Sequence, residues 1–187
     1  MTVAVFFDYT CGFSHRAQHW LDTVSAAEVV WRPFSLLEQN RQDEVAVFDQ
    51  PDLADNMSLI ALAVHEAVRA TDGDLDGYRR RMFSAWHDET GRLSTDDVVG
   101  FGREAGLGEF DREAAFAAFA GEHAAGRALG VFGTPTFVFG SGQAAFVKLD
   151  AVPAQDRADP LFDRLRQLAT GEPSLREWQR VSAPGGS

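Results

Sequence analysis

Cysteine is almost missing from this 187-residue chain: Cys11 is the only one. No disulfide can close within the molecule, which excludes a small scaffold stapled by bridges and agrees with a reducing compartment. Long apolar runs are missing as well. Val3 to Phe7 is apolar but stops at Asp8, whereas a signal peptide needs a basic start and a longer core, and a membrane helix needs about 20 residues. The chain therefore reads as cytoplasmic, a leader removed beforehand being the exception. Basic residues are few, 17 Lys and Arg against 28 Asp and Glu, for a net charge of -11. Phosphate binding draws on clustered Lys and Arg, so nucleic acid is excluded as a partner, and an anionic membrane surface is disfavoured. The acidic surface reads as a solubilising coat. Repeats are missing, and the one biased stretch is a run rich in alanine.

What remains is ordinary globular material, 45% hydrophobic and 24% charged, long enough for one domain with a good core. Val3 to Asp8 (VAVFFD) predicts a buried strand, and Tyr9 to Ser14 (YTCGFS) a turn in which Thr10 is placed to cap a helix. His15 to Val24 then carries Ala17, Trp20, Leu21 and Val24 at helical spacing, and Glu28 to Phe34 (EVVWRPF) reads as a second strand. Strand, helix, strand implies a parallel crossover.

From about Leu53 to Leu129 the pattern is helical. Leu53, Met57, Ile60, Ala61, Val64, Ala67 and Val68 share one face, and Tyr78, Met82, Ala85 and Trp86 suggest a second helix. Ser94 to Asp97 (STDD) has the form of a capping box, with Asp in place of Glu. Gly106 to Gly108 marks a stop, and Asp111 opens a long alanine-rich helix to Leu129. Thr136 to Phe139 and Ala144 to Leu149 flank a glycine-rich turn and predict a hairpin, Asp159 to Leu168 predicts a last helix, and Ala183 to Ser187 reads as a loose tail.

Cys11 follows a strand and precedes a helix. Unpaired N–H groups and the positive end of the helix dipole favour thiolate over thiol there, and thiolate is the nucleophile. A buried cysteine acting as a small hydrophobe is the alternative from position alone.

FFDYTCGFSHRAQHWLD is similar to the strand, active-site turn and first helix of DsbA-like proteins, in particular their cytoplasmic FrnE-type branch. WRPFSL resembles the second strand, RRMFSAWHDETGRLSTDDVVGFGREAGL the helical insertion, and GVFGTPTFVFGSG the Gly-x-Pro-Thr-Phe-Val loop and hairpin. The likeness runs from about Val3 to Leu168, and the pairing of the cysteine turn with the distant Thr-Pro-Thr loop makes it specific. It implies a thioredoxin-like α/β fold (βαβ then ββα) across residues 1–187, with an all-helical insertion at about 38–127 between the halves of the sheet. It also implies that Pro135 is cis and packs beside Cys11, and that Thr134 offers its backbone to a bound peptide or thiol.

One departure matters. Dithiol relatives have Cys-x-x-Cys, while this chain reads Cys11-Gly12-Phe13-Ser14. A serine cannot resolve a mixed disulfide, so an external thiol is needed. The same four letters occur in monothiol glutaredoxins, whose short chains lack the insertion and the GTPTFV loop. The resemblance implies a monothiol thiol–disulfide oxidoreductase with Cys11 and Ser14 catalytic, and Gly12, Phe13, Thr134 and Pro135 binding substrate. It carries no tightly bound cofactor; glutathione or mycothiol serves as thiol co-substrate, and a protein or small-molecule disulfide is the partner. A homodimer is compatible with this. Two alternatives stay open: a glutathione- or mycothiol-dependent transferase or isomerase resembling the kappa-class glutathione transferases and 2-hydroxychromene-2-carboxylate isomerases, and a non-catalytic adaptor.

His15, one turn beyond Cys11, is a candidate proton relay or a residue facing solvent. His19, His65, His87 and His123 have no cysteine or carboxylate pattern along the sequence that suggests a metal. Tyr9 and Phe13 either wall an apolar groove or pack. Asp8 is a proton acceptor or a turn cap, and Phe83 and Trp86 read as insertion core.

Overall fold

A computed structural model describes residues 1–42, 44–50, 55–89, 92–140, 142–172 and 174. The opening crossover is strand β1 (Thr2–Phe7), helix α1 (Gly12–Leu21) and strand β2 (Glu28–Pro33). Helices α2 (Leu36–Gln39), α3 (Met57–Arg69), α4 (Leu75–His87), α5 (Thr95–Glu104) and α6 (Arg112–Ala128) follow, with a 3-10 turn at Val47–Asp49. Strands β3 (Thr136–Phe139) and β4 (Ala144–Phe146) and helix α7 (Gln155–Gly171) are the last of the described elements. Every regular element described between β2 and β3 is helical.

The four strands lie in the order β2-β1-β3-β4. β1 pairs parallel with β2, Val5 opposite Trp31, and antiparallel with β3, Val5 opposite Phe137. As a central strand β1 is buried on both faces: Val3, Val5 and Phe7 enter the main core, while Phe6 joins Phe34 and Val131 in a smaller one. Gly126 of α6 lies against that smaller core. A Cβ there would stand 2.9 Å from both the Phe34 and Phe6 rings, so only glycine lets the helix approach.

α3 is wrapped on nearly all sides, Leu59 through Val64 being fully buried, as expected of a helix apolar all round. The STDD reading holds: Ser94 Oγ accepts from Asp97 N and the Asp97 carboxylate accepts from Ser94 N, a complete capping box. Asp111 caps α6, and Gly106 leaves α5 at φ +99°, the conformation glycine tolerates best.

Several element ends, and one cap, differ from the sequence reading. α1 starts at Gly12, with Cys11 itself as N-cap. Thr10 does not cap it; its hydroxyl donates to Asp8 Oδ1 instead. β4 stops at Phe146, although Val147 N still donates to the Pro135 carbonyl. α7 begins before Asp159 and carries Pro160 inside it. Its early residues are held from α1 and the connection after it: Trp20 Nε1 donates to the Ala158 carbonyl, and Asp159 accepts from Ser25 and Ala26 N–H groups and the Ser25 hydroxyl. These contacts offset the helix hydrogen bond that proline cannot make. Leu53 and the tail at Ala183 to Ser187 lie outside the described residues.

Two buried histidines give the fold an acid weakness. His65 Nδ1 shares a hydrogen bond with the Tyr9 hydroxyl at 2.9 Å, and His123 Nδ1 accepts from Ser35 N at 3.2 Å. Burial, then the Arg79 and Arg69 charges, lowers His65 to about 3; burial lowers His123 to about 4. In the unfolded chain both take up protons near pH 6.5, so the unfolded state gains protons first as pH falls. Stability is whole above that value and declines toward pH 4, each histidine contributing up to about 1.4 kcal/mol per pH unit. Urea unfolding at pH 7.5 and pH 5 measures it, and His123→Gln, which keeps an acceptor for Ser35, should reduce the slope. Equal stability at the two pH values refutes the assignment.

Candidate active site around Cys11

The turn after β1 is built on Asp8. Its carboxylate is buried, with Oδ1 accepting from Thr10 N and Oγ1 and Oδ2 from Leu36 N, all at 2.8 Å. Its carbonyl accepts from Cys11 N at 3.1 Å. Burial pushes the Asp8 carboxyl above its ordinary range; the bonds from Leu36 and Thr10 and the His87 charge oppose this. Asp8 is thus a turn brace, its side chain occupied by backbone and hydroxyl donors.

Cys11 has extended dihedrals, φ -87° and ψ 109°, while its carbonyl accepts the first helical bond from His15 N. It is 8% exposed. Its Sγ donates to the Thr134 carbonyl at 3.3 Å, which joins two segments 123 residues apart in sequence. The Thr134–Pro135 peptide is cis. Thr134 is buried and its Oγ1 has no hydrogen-bond partner among the described residues; Thr136 Oγ1 donates to the Gly133 carbonyl, closing the loop. Ser14 stands in the first turn of α1, fully buried, and its Oγ also lacks a partner among the described residues. It donates no hydrogen bond to the sulfur.

Around this pair lies a rim that sequence reasoning largely missed. The Phe13 ring is covered by the Arg16 guanidinium at 4.7 Å and by Lys148 Nζ at 5.1 Å. Lys148 lies equally close to Phe146, which meets Phe132 edge to face at 5.0 Å. Phe132 is 62% exposed. Gly133 permits this contact, since a Cβ there would meet Phe146 at 3.1 Å. The rim is aromatic and cationic on a chain that is otherwise acidic. On the other side of Thr10 an open cleft of about 450 Å³ is lined by Leu36, Leu37, Asn40, Val47 and Ser58.

His15 directs its Nε2 to partners other than the cysteine. Its Nε2 lies 2.8 Å from His19 Nε2 and 3.5 Å from Asp88 Oδ2, and its ring stacks on His87 at 4.7 Å. Burial first, then the neighbouring His87 charge, lowers it to about 4, against the pull of Asp88. Tyr9 walls no groove; it is buried in an aromatic cluster with Phe7, Tyr78 and Phe83. His87 Nε2 donates to the Tyr9 carbonyl at 2.8 Å, tying the end of α4 to the cysteine turn. Nothing in local sequence marks His87 or Asp88, because α4 packing alone brings them here.

The profile of the DSBA-like thioredoxin domain matches residues 2–166. No curated protein sequence matches the chain significantly. Among solved structures, the cytosolic disulfide reductase DsbM from Pseudomonas aeruginosa, solved with GSH, superposes with a TM-score of 0.57. Its identity is 20%, over 90% of this chain and all 100% of that one. A probable DsbA oxidoreductase from Streptomyces coelicolor gives 0.60 at 18% identity, over 100% of this chain and 97% of that one. A thioredoxin-like oxidoreductase from Silicibacter pomeroyi gives 0.53 at 22%, over 89% and 86%. The fold class is therefore as the sequence implied, and the chain belongs to the family of DSBA-like thioredoxin domains.

Proposed function

We propose that this protein is a monothiol thiol–disulfide oxidoreductase that uses a small thiol, glutathione or mycothiol, as co-substrate. The observation that carries the reading is the Cys11 sulfur, at the N-cap of α1 and against the Thr134 carbonyl beside Pro135, with serine where a second thiol would stand. The Cys11 thiolate attacks a disulfide R–S–S–R′, forming Cys11–S–S–R and releasing R′–S⁻, which takes a proton. A first small thiolate attacks the Cys11 sulfur, releasing R–S⁻ and leaving the small thiol on Cys11. A second attacks that adduct and restores the Cys11 thiolate. Two small thiols are oxidised to their disulfide and one substrate disulfide is reduced to two thiols.

Cys11 stands at the positive end of the α1 dipole, the Thr134 backbone receives the substrate, and Gly12 keeps the approach open. Phe13, Phe132 and Phe146 offer an apolar bed, with Lys148 and Arg16 placed for a carboxylate. His15 is assigned no proton transfer, since its Nε2 engages His19 and Asp88. A reducing cytosol supplies the co-substrate, and the cytosolic neighbour solved with GSH supports this setting.

The experiment is intact-mass analysis after mild oxidation with glutathione disulfide, followed by turnover of a disulfide substrate with excess glutathione. One glutathione should attach per chain, and Cys11→Ser should abolish both adduct and turnover. An unmodified Cys11, or turnover that survives Cys11→Ser, overturns the reading.

A further inference from the structure

The packing of α4 against α1 assembles ligands that the sequence keeps apart. His15 and His19 sit one turn apart on α1, where residues four apart share a face, and Asp88 is the C-cap of α4. One ligand atom from each, a ring nitrogen of either histidine and a carboxylate oxygen of Asp88, lies within 4.8 Å of the other two. We propose that His15, His19 and Asp88 form a binding site for a divalent transition-metal ion of the zinc, cobalt and nickel class.

The ligand set fits that class. Two imidazoles and one carboxylate suit borderline ions, whereas magnesium and calcium take mostly oxygen ligands. Zinc–nitrogen bonds of about 2.0–2.1 Å at tetrahedral angles put two ligand nitrogens about 3.3 Å apart. The two Nε2 atoms stand at 2.8 Å, so a small rotation of the exposed His19 ring makes room. The remaining positions face solvent and take water.

The first ligand is held in place beforehand. The His15 ring packs against both Phe83, at 5.7 Å and 21°, and His87, at 4.7 Å and 10°, which also stack on each other at 6.2 Å. Phe83 is fully buried, and His87 is fixed by its bond to the Tyr9 carbonyl. Asp88 is set by its own backbone bond to the Ser84 carbonyl at 2.9 Å. His19 and half of the Asp88 side chain are open to water, so an ion can enter without unfolding anything. The acidic surface adds attraction for a cation.

The test uses the untagged, full-length protein stripped with chelator. Zinc alone is titrated by calorimetry, and cobalt is titrated by visible absorption, where bands from low-symmetry nitrogen and oxygen coordination appear. One ion should bind per chain. His19→Gln and Asp88→Asn should each weaken binding about tenfold or more, with melting curves unchanged because both side chains lie at the surface. Millimolar magnesium should not displace the ion. Cys11→Ser should bind zinc as the native chain does, which separates this site from the thiol chemistry. Absence of stoichiometric binding overturns the proposal. So does native affinity in His19→Gln, or loss of binding in Cys11→Ser.

Discussion

Ser14→Cys converts the protein from one that stores a small-thiol adduct into one that closes a disulfide within itself. Residues three apart are neighbours across a helical turn, and here the first of them is the N-cap. The Ser14 hydroxyl is buried and has no partner among the described residues, so exchanging it for a thiol forfeits no hydrogen bond. Under oxidation by glutathione disulfide the native chain should end as the Cys11 adduct. In the variant the new thiol attacks that adduct, expels glutathione and leaves a chain lighter by two hydrogens, with both sulfurs protected from alkylation. Effective concentrations of well-placed groups reach on the order of 10⁵ M, against millimolar free thiol. Release of a bound substrate at low external thiol should accelerate about a hundredfold or more on that basis. A variant that stays open while its Cys11 is glutathionylated shows that the two side chains are not neighbours, and the assignment of the turn fails.

Phe83→Ala should produce the largest loss of stability of any single truncation near the site. Phe83 is fully buried and its ring touches Tyr9 at 4.9 Å, His15 at 5.7 Å and Phe7 at 5.8 Å. It therefore joins α4 to the end of β1 and to α1 in one contact set. Truncating a buried phenylalanine costs about 3–5 kcal/mol, a large share of the roughly 5–15 kcal/mol that holds a domain together. Urea unfolding should register that loss, and near-ultraviolet circular dichroism should lose the aromatic cluster signal. Phe83→Leu, which retains most of the volume, should recover at least half of it. A cost under about 1 kcal/mol in the alanine variant means that α4 does not dock through this ring.

What the sequence discloses and what it withholds divide along physical lines. β1, the crossover and the capping box at Ser94 are local: alternation, spacing and side-chain oxygens determine them, and they stand where the residues placed them. The contact of Cys11 with Thr134 was readable only through resemblance, since no local rule joins positions so far apart. α7 opens before Asp159 because the apolar spacing of Leu161, Phe162, Leu165 and Leu168 marks only its later turns, while Trp20 and Ser25 hold an earlier turn from outside. Helical spacing makes His15 a candidate relay or a solvent-facing residue; what its Nε2 and ring meet, Asp88 and His87, is carried by another helix and is invisible along the sequence. Lys148 and Phe146 entered no candidate site because a hairpin, not a motif, carries them to the rim.

The strand order has a consequence for how the molecule behaves in a crowd. The outer margins of the sheet are β2 and β4. Exposed strand margins are templates on which further chains polymerise, and natural proteins blunt them with charge, proline or brevity. β2 carries Glu28 and Arg32 and ends on Pro33, and β4 is three residues long. Arg32 is further drawn into a bridge to Glu122 of α6 at 2.5 Å. Neither margin invites a neighbour to continue the sheet, and mutual repulsion at a net charge of -11 works in the same direction. Concentrated solutions should accordingly resist fibrous aggregation, and two copies that associate should meet through helical or loop surfaces, with their sheets kept separate.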